Sequence, residues 1–148
     1  MEFDQFANEG NRFVKLVAQE LNNRNDMRQA YRVTSVVLHA LRDLITVEES
    51  LHLLAQLPMF LKAVYVNDWQ VPVHDRPTTM SEFIASLREK SGRTAADDFG
   101  DDATAQYRAK AVLKVMKQYV DPNETEDIIS QFPVDLLELW ATQVNEHS

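Results

Sequence analysis

Apolar residues recur along this chain at helical spacing, and the longest stripe is met twice. Between Met27 and Ile45, the positions Ala30, Val33, Val37, Leu38, Leu41, Leu44 and Ile45 fall on one side of a helix of about 3.6 residues per turn. Arg28, Arg32, His39, Arg42 and Asp43 lie largely off that side, so a helix over 27–45 with one buried face is predicted. An earlier stripe of Phe6, Phe13, Leu16, Val17 and Leu21 predicts a first helix with Asp4 as its starting cap; Gly10 shares the buried side, where it either permits close backbone approach or breaks the helix near its start. Thr46 and Glu49 have the spacing of a capping box, in which Thr46 accepts a first-turn amide and Glu49 accepts the Thr46 amide in return. A third helix starts there and ends near Leu57. Pro58 suits the first turn of a fourth, whose inward side carries Leu61, Val64 and Tyr65.

The stripe returns in sparser form at a constant offset. Val112, Leu113, Met116, Tyr119 and Val120 repeat Val37, Leu38, Leu41, Leu44 and Ile45; Asp121 and Glu124 repeat Thr46 and Glu49; Gln131, Phe132 and Pro133 repeat Gln56, Leu57 and Pro58. A helix carrying Leu136, Leu137, Leu139 and Trp140 closes this second pass, and the tail from Asn145 is expected to fray. Between the passes, 67–79 with Trp69, Pro72 and Pro77 reads as an irregular connector. Thr79 and Glu82 then supply another capping box for a short helix bearing Met80, Phe83, Ile84 and Leu87. The polar stretch 91–102 reads as a loop bracketed by Gly92 and Gly100. The expected architecture is an all-α bundle of about six to eight helices, one domain made of two related units, 1–66 and 80–144. Neither unit has enough apolar surface to stand alone, so the two share an interior.

Composition narrows the functional classes. Fifteen Lys and Arg against twenty-three Asp and Glu give a formal charge of -8 with no basic cluster, which argues against nucleic-acid binding, since that needs a localised positive surface. The absence of cysteine removes disulfides and thiolate chemistry. The acidic start carries no secretory pattern and no apolar run is long enough for a membrane span, so a cytoplasmic location without membrane association is expected.

The run from Tyr31 to Arg42, followed by Ala55, Gln56, Leu57 and Pro58, then Tyr65 and Trp69, resembles a bacterial domain-of-unknown-function family, number 2267. The resemblance continues through Glu82 and Phe83 and, less closely, through the second half. Members often carry glycine or another small residue before the tryptophan, where this chain has Asp68, and a longer residue at the place of Thr34. The resemblance implies a compact all-helical bacterial protein and transfers no catalytic residue.

Candidate chemistry is sparse. Arg32, Arg42, Tyr65 and Trp69 form the foremost candidate for ligand or partner recognition, because arginine makes bidentate contacts to carboxylate or phosphate and tryptophan packs on apolar groups or on arginine. Against it stands a structural reading in which Trp69 covers helix ends and Arg42 bonds terminal carbonyls. His39 and His52 read as surface histidines, with His74 and His147 in the connector and tail. A metal set such as His39, His52 and Glu48 lacks a compact ligand series, and no metal or cofactor is expected. The aspartates at 97, 98, 101 and 102 lack calcium-loop spacing and read as solvating or capping groups. Glu48 with Glu49, and Glu124 with Glu126, can be drawn as acid/base pairs, but helix-end capping accounts for them and keeps them ionised. No nucleophile motif or glycine-rich phosphate turn is present. The reading is a non-catalytic interaction or assembly module, a homodimer being one form of it; the alternative is a small-molecule-binding or catalytic protein with a pocket between the units.

Overall fold

The long stripe forms α2 (Met27–Arg42), begun by Asp26, whose carboxylate accepts the Gln29 amide at 3.0 Å. Its repeat forms α7 (Asp102–Lys117), begun by Asp101, which accepts the Thr104 amide at 2.8 Å. In this computed structural model, residues 2–70 and 75–141 are described, with side chains from Asn8 onward. Pro72, His74, the tail with His147, and the side chains of Asp4 and Phe6 lie outside the described residues.

The remaining helices are α1 (Glu2–Glu20), α3 (Val47–Leu54), α4 (Met59–Val66), α5 (Met80–Ser91), α6 (Ala95–Phe99) and α8 (Pro122–Ser130), with 3-10 turns at Gly92–Thr94 and Val134–Trp140. No strand occurs among the described residues, and no helix there is long and apolar enough to cross a membrane. The protein is an all-α bundle centred on α2 and α7, which touch each other and both pack against α1 and α5. Leu38 and Leu41 on α2 and Val112 and Met116 on α7 are buried. Burial of each such side chain favours folding by about 1.5–3 kcal/mol. Ala105 and Ala109 on α7 are fully buried, small enough to let the neighbouring helices close in.

Three expectations from sequence need correction. Helix α1 begins at Glu2, ahead of Asp4, so Asp4 is not its starting cap. The stretch 91–102 is not an open loop: a 3-10 turn and α6 occupy most of it, because Phe99 is fully buried and draws the segment onto the body. Gly100, at φ 56° and ψ -134°, then makes the reversal that a side chain would oppose. The last apolar segment is 3-10 rather than α. Its buried Leu136 and Leu139 are three apart, and three residues make one 3-10 turn.

Gly10 sits inside α1 against α4, and a Cβ there would lie 2.7 Å from the Phe60 ring. Close approach, rather than helix breaking, is what this glycine provides. Thr34 is fully buried on α2 with its hydroxyl lacking a hydrogen-bond partner among the described residues.

Candidate functional site

Helices α3 and α8 face each other where the two passes of the chain meet. Thr46 starts α3 from an extended conformation (φ -69°, ψ 160°) and accepts the Glu49 amide at 3.1 Å. Asp121 starts α8 in a similar conformation (φ -58°, ψ 138°) and accepts the Asn123 amide at 2.7 Å. The return half of each expected box is not made. The Thr46 amide donates to Gln131 Oε1 at 2.8 Å, and the Asp121 amide donates to Gln56 Oε1 at 2.6 Å. Each corner is thus completed by the glutamine of the other. The two bonds exchange under one shift along the chain, since Thr46 lies as far from Asp121 as Gln56 lies from Gln131.

Released from capping, Glu49 and Glu124 turn inward and are 7% and 6% exposed. Glu49 Oε1 accepts from Gln131 Nε2 at 3.2 Å, while Oε2 of Glu49 and Oε2 of Glu124 have no donor among the described residues. His52 Nδ1 lies 4.0 Å from Glu49 Oε2. Burial first, then the neighbouring Glu49 carboxylate, then Asp127 and Asp121, push the Glu124 carboxyl up to about 8. A second carboxylate beside a buried one disfavours its ionisation.

The acid pairs drawn from sequence are therefore replaced by a different one. Glu48 and Glu126 are exposed, and the meeting pair is Glu49 with Glu124, one from each pass. Nor do His39, His52 and Glu48 converge. His39 is partly buried on α2, its Nε2 2.7 Å from the Val64 carbonyl oxygen, and burial holds its pKa below the usual histidine value. The equal offset of the two glutamates and two glutamines was the signal in the sequence, but it carries no statement of which groups cross the junction.

Arg42, Tyr65 and Trp69 do come together. Arg42 Nη1 donates to the carbonyls of Tyr65 at 2.5 Å and Asn67 at 2.8 Å, and Nη2 donates to that of Asp68 at 2.9 Å, gathering the end of α4. Its guanidinium carbon is 5.8 Å from the centre of the Trp69 ring, which meets the Tyr65 ring edge-on. Tyr65 is fully buried and its hydroxyl pairs with Ser50 Oγ at 2.6 Å; burial raises its pKa. Asp68 takes φ 53°, a left-handed conformation that glycine adopts without cost and aspartate tolerates better than most residues.

Arg32 is elsewhere. Its Nε and Nη2 hold Asp98 Oδ2 and Oδ1, each at 2.8 Å, fastening α6 to α2. Asp98 is fully buried; burial acts to raise its pKa, and bonds from Arg32, Thr94 and Gln29 together with the Arg32 charge outweigh it and leave the pKa lowered. Thr79 accepts the Glu82 amide at 3.1 Å, whereas Glu82 accepts the Thr78 amide at 2.9 Å, one residue earlier than the box spacing implies.

A polar groove of about 1210 Å³ opens beside α5, lined by His39, Arg42, Asp43, Arg76, Glu82 and Lys90 among others. Its cations have internal partners: Arg76 Nη1 donates to the carbonyls of Leu44 and Gln131, and Lys90 pairs with Asp43 at 2.8 Å. An apolar groove of about 420 Å³ lies on the other helix pair, between Leu54, Ala55, Met59, Lys62, Ala63 and Val66.

The model of a family described as "uncharacterized conserved protein" matches residues 10–139. No curated protein matches the chain.

Proposed function

The chain belongs to that family, DUF2267, and from its own surface we propose a non-catalytic interaction module that pairs with a second copy of itself through the outer face of α3 and α4. The observation that carries this reading is an apolar strip on the outside of both helices. Val47, Leu51 and Leu54 on α3, and Met59, Ala63 and Val66 on α4, have the same i, i+4, i+7 spacing that lines one side of a helix. Val47, Leu51, Met59 and Val66 are 63%, 56%, 59% and 42% exposed, so this is a face rather than scattered residues.

The second pass of the chain does not keep this face. At the matching positions it has Pro122, Glu126 and Ile129, then Val134, Glu138 and Ala141, so two carboxylates interrupt the strip. A bundle that can carry glutamates there gains nothing in folding from leaving Leu51 exposed, which supports a use outside the fold. A twofold pairing of two such helix hairpins makes a four-helix contact without an external counter-charge, because the face has both a basic residue, Lys62, and an acidic one, Glu48, at its borders.

Light scattering across a concentration series tests this. The expected result is a monomer–dimer equilibrium that strengthens with salt, as screening relieves repulsion between chains of charge -8. Leu51→Glu with Ala63→Glu, which copies the second pass, is expected to leave helix content unchanged and abolish the dimer. A wild-type chain that stays monomeric at every concentration and salt would sink the reading. A small molecule held between the units is a second reading, supported by the groove beside α5; the internal pairing of that groove's cations makes it the weaker of the two.

A further inference from the structure

Glu49 and His52 are three residues apart on α3, a spacing that brings two side chains to one side of a helix, and Glu124 comes from α8 across the junction. We propose that Glu49, His52 and Glu124 together bind one first-row divalent cation of the zinc class, tying the two corners to each other.

Three observations carry the inference. One ligand atom from each residue can be chosen so that all lie within 4.8 Å of one another. Zinc at bond lengths of about 2.0–2.2 Å sets its donors roughly 3.3 Å apart, so modest contraction is needed. His52 can supply it, since its side chain is 58% exposed and free to turn inward. Next, both glutamates are more than nine-tenths buried, and one oxygen of each has no donor among the described residues. Buried carboxylate oxygens rarely stay unsatisfied, and a dication between them satisfies both at once. Finally, an imidazole nitrogen beside two carboxylates selects the borderline ions over magnesium and calcium, which prefer all-oxygen sets. Asp121 and Asp127 add negative potential around Glu124, and the exposed side of His52 leaves room for water as a further ligand.

The site binds an ion with side chains that the dimer face does not use, so the two proposals stand or fall separately. The test uses the full chain, stripped with EDTA and exchanged into buffer at about pH 7.5, where a bound cation can displace protons from its ligands. Titration calorimetry with Zn2+ is expected to show one saturable site per chain, and the midpoint of thermal unfolding is expected to rise with Zn2+. His52→Ala alters an exposed side chain and leaves the fold intact; it should weaken binding by about tenfold or more, as loss of one of three protein ligands requires. Glu124→Gln should weaken it comparably, and Co2+ in the wild type should give a visible d–d band that His52→Ala changes. Unchanged Zn2+ affinity in His52→Ala, no saturable uptake, or Mg2+ binding as tightly as Zn2+ would each overturn the assignment.

Discussion

At the start of α3 and again at the start of α8 the chain leaves a long central helix, turns through an extended capping residue, and gives that residue's amide to a glutamine from the opposite corner. The exits from the two corners differ. Beyond the first, Pro58 leads into α4, an α-helix that buries Leu61, Val64 and Tyr65 against α1 and α2. Beyond the second, Pro133 leads into a 3-10 segment lying on α7, with Leu136 and Leu139 buried on a three-residue period. Arg42 at the end of α2 gathers three carbonyls from the end of α4; the matching residue on α7 is Lys117. Arg32 on α2 clamps a buried aspartate, whereas its counterpart on α7, Tyr107, gives a single bond to the Glu20 carbonyl at 2.5 Å. The shared part is the junction, where each corner needs the other. Divergence lies on the outside, where each exit meets different neighbours.

The largest expected effect breaks the clamp that only the first pass possesses. Arg32→Ala leaves Asp98 buried without its main counter-charge and should cost about 3 kcal/mol, toward the low end for a broken buried pair because Arg32 is partly exposed. Tyr107→Phe should cost under about 1.5 kcal/mol, the range for one neutral hydrogen bond. Urea unfolding of the two variants measures the contrast, and equal losses would show that the clamp has no special weight. The pH dependence comes from the same group. Because the folded Asp98 pKa lies below its ordinary value, its stabilisation is fully present above that ordinary value, about 3.8, and is lost as pH falls through the folded one. Arg32→Ala should therefore flatten the acid limb of a stability–pH curve.

A smaller effect comes from making the first exit resemble the second. Arg42→Lys replaces a planar fork by a single ammonium, which cannot hold the carbonyls of Tyr65, Asn67 and Asp68 in the same geometry. A loss of about 1–2 kcal/mol is expected, comparable to one or two charge-assisted bonds. Slower amide exchange at the end of α4 in the variant than in the wild type would contradict this role. Smallest are the glutamine variants: Gln56→Ala removes one cross-junction bond at about 1 kcal/mol, and Gln131→Ala removes two, from the Thr46 amide and to Glu49. Gln131→Ala should show the larger loss in thermal unfolding. No loss at Gln56→Ala would mean that the corners are alike in shape but not in energetic role.

Several features were legible along the chain. The periodicity of α2 and α7, the caps at Thr46, Thr79 and Asp121, and the close approach at Gly10 all depend on residues near in sequence or on one helical face. The Glu49 and Glu124 return bonds were misread because a box and a cross-junction glutamine offer the same amide equally good acceptors. Spacing shows the first and is blind to the second. The helix over 95–99 was hidden by a polar, glycine-bracketed composition, and only the burial of Phe99 and the grip of Arg32 on Asp98 make it form there.

By itself the sequence determined an all-α chain, which faces of its helices are apolar, and the recurrence of one turning pattern at a fixed offset, since these follow from local backbone preference and side-chain period. Tertiary structure alone decided that each corner is finished by the other, that two glutamates meet with a histidine beside them, and that the outward apolar strip belongs to the first pass. The physical reason is that period and capping fix what each helix presents, while the choice among competing long-range partners is made only when the faces are packed.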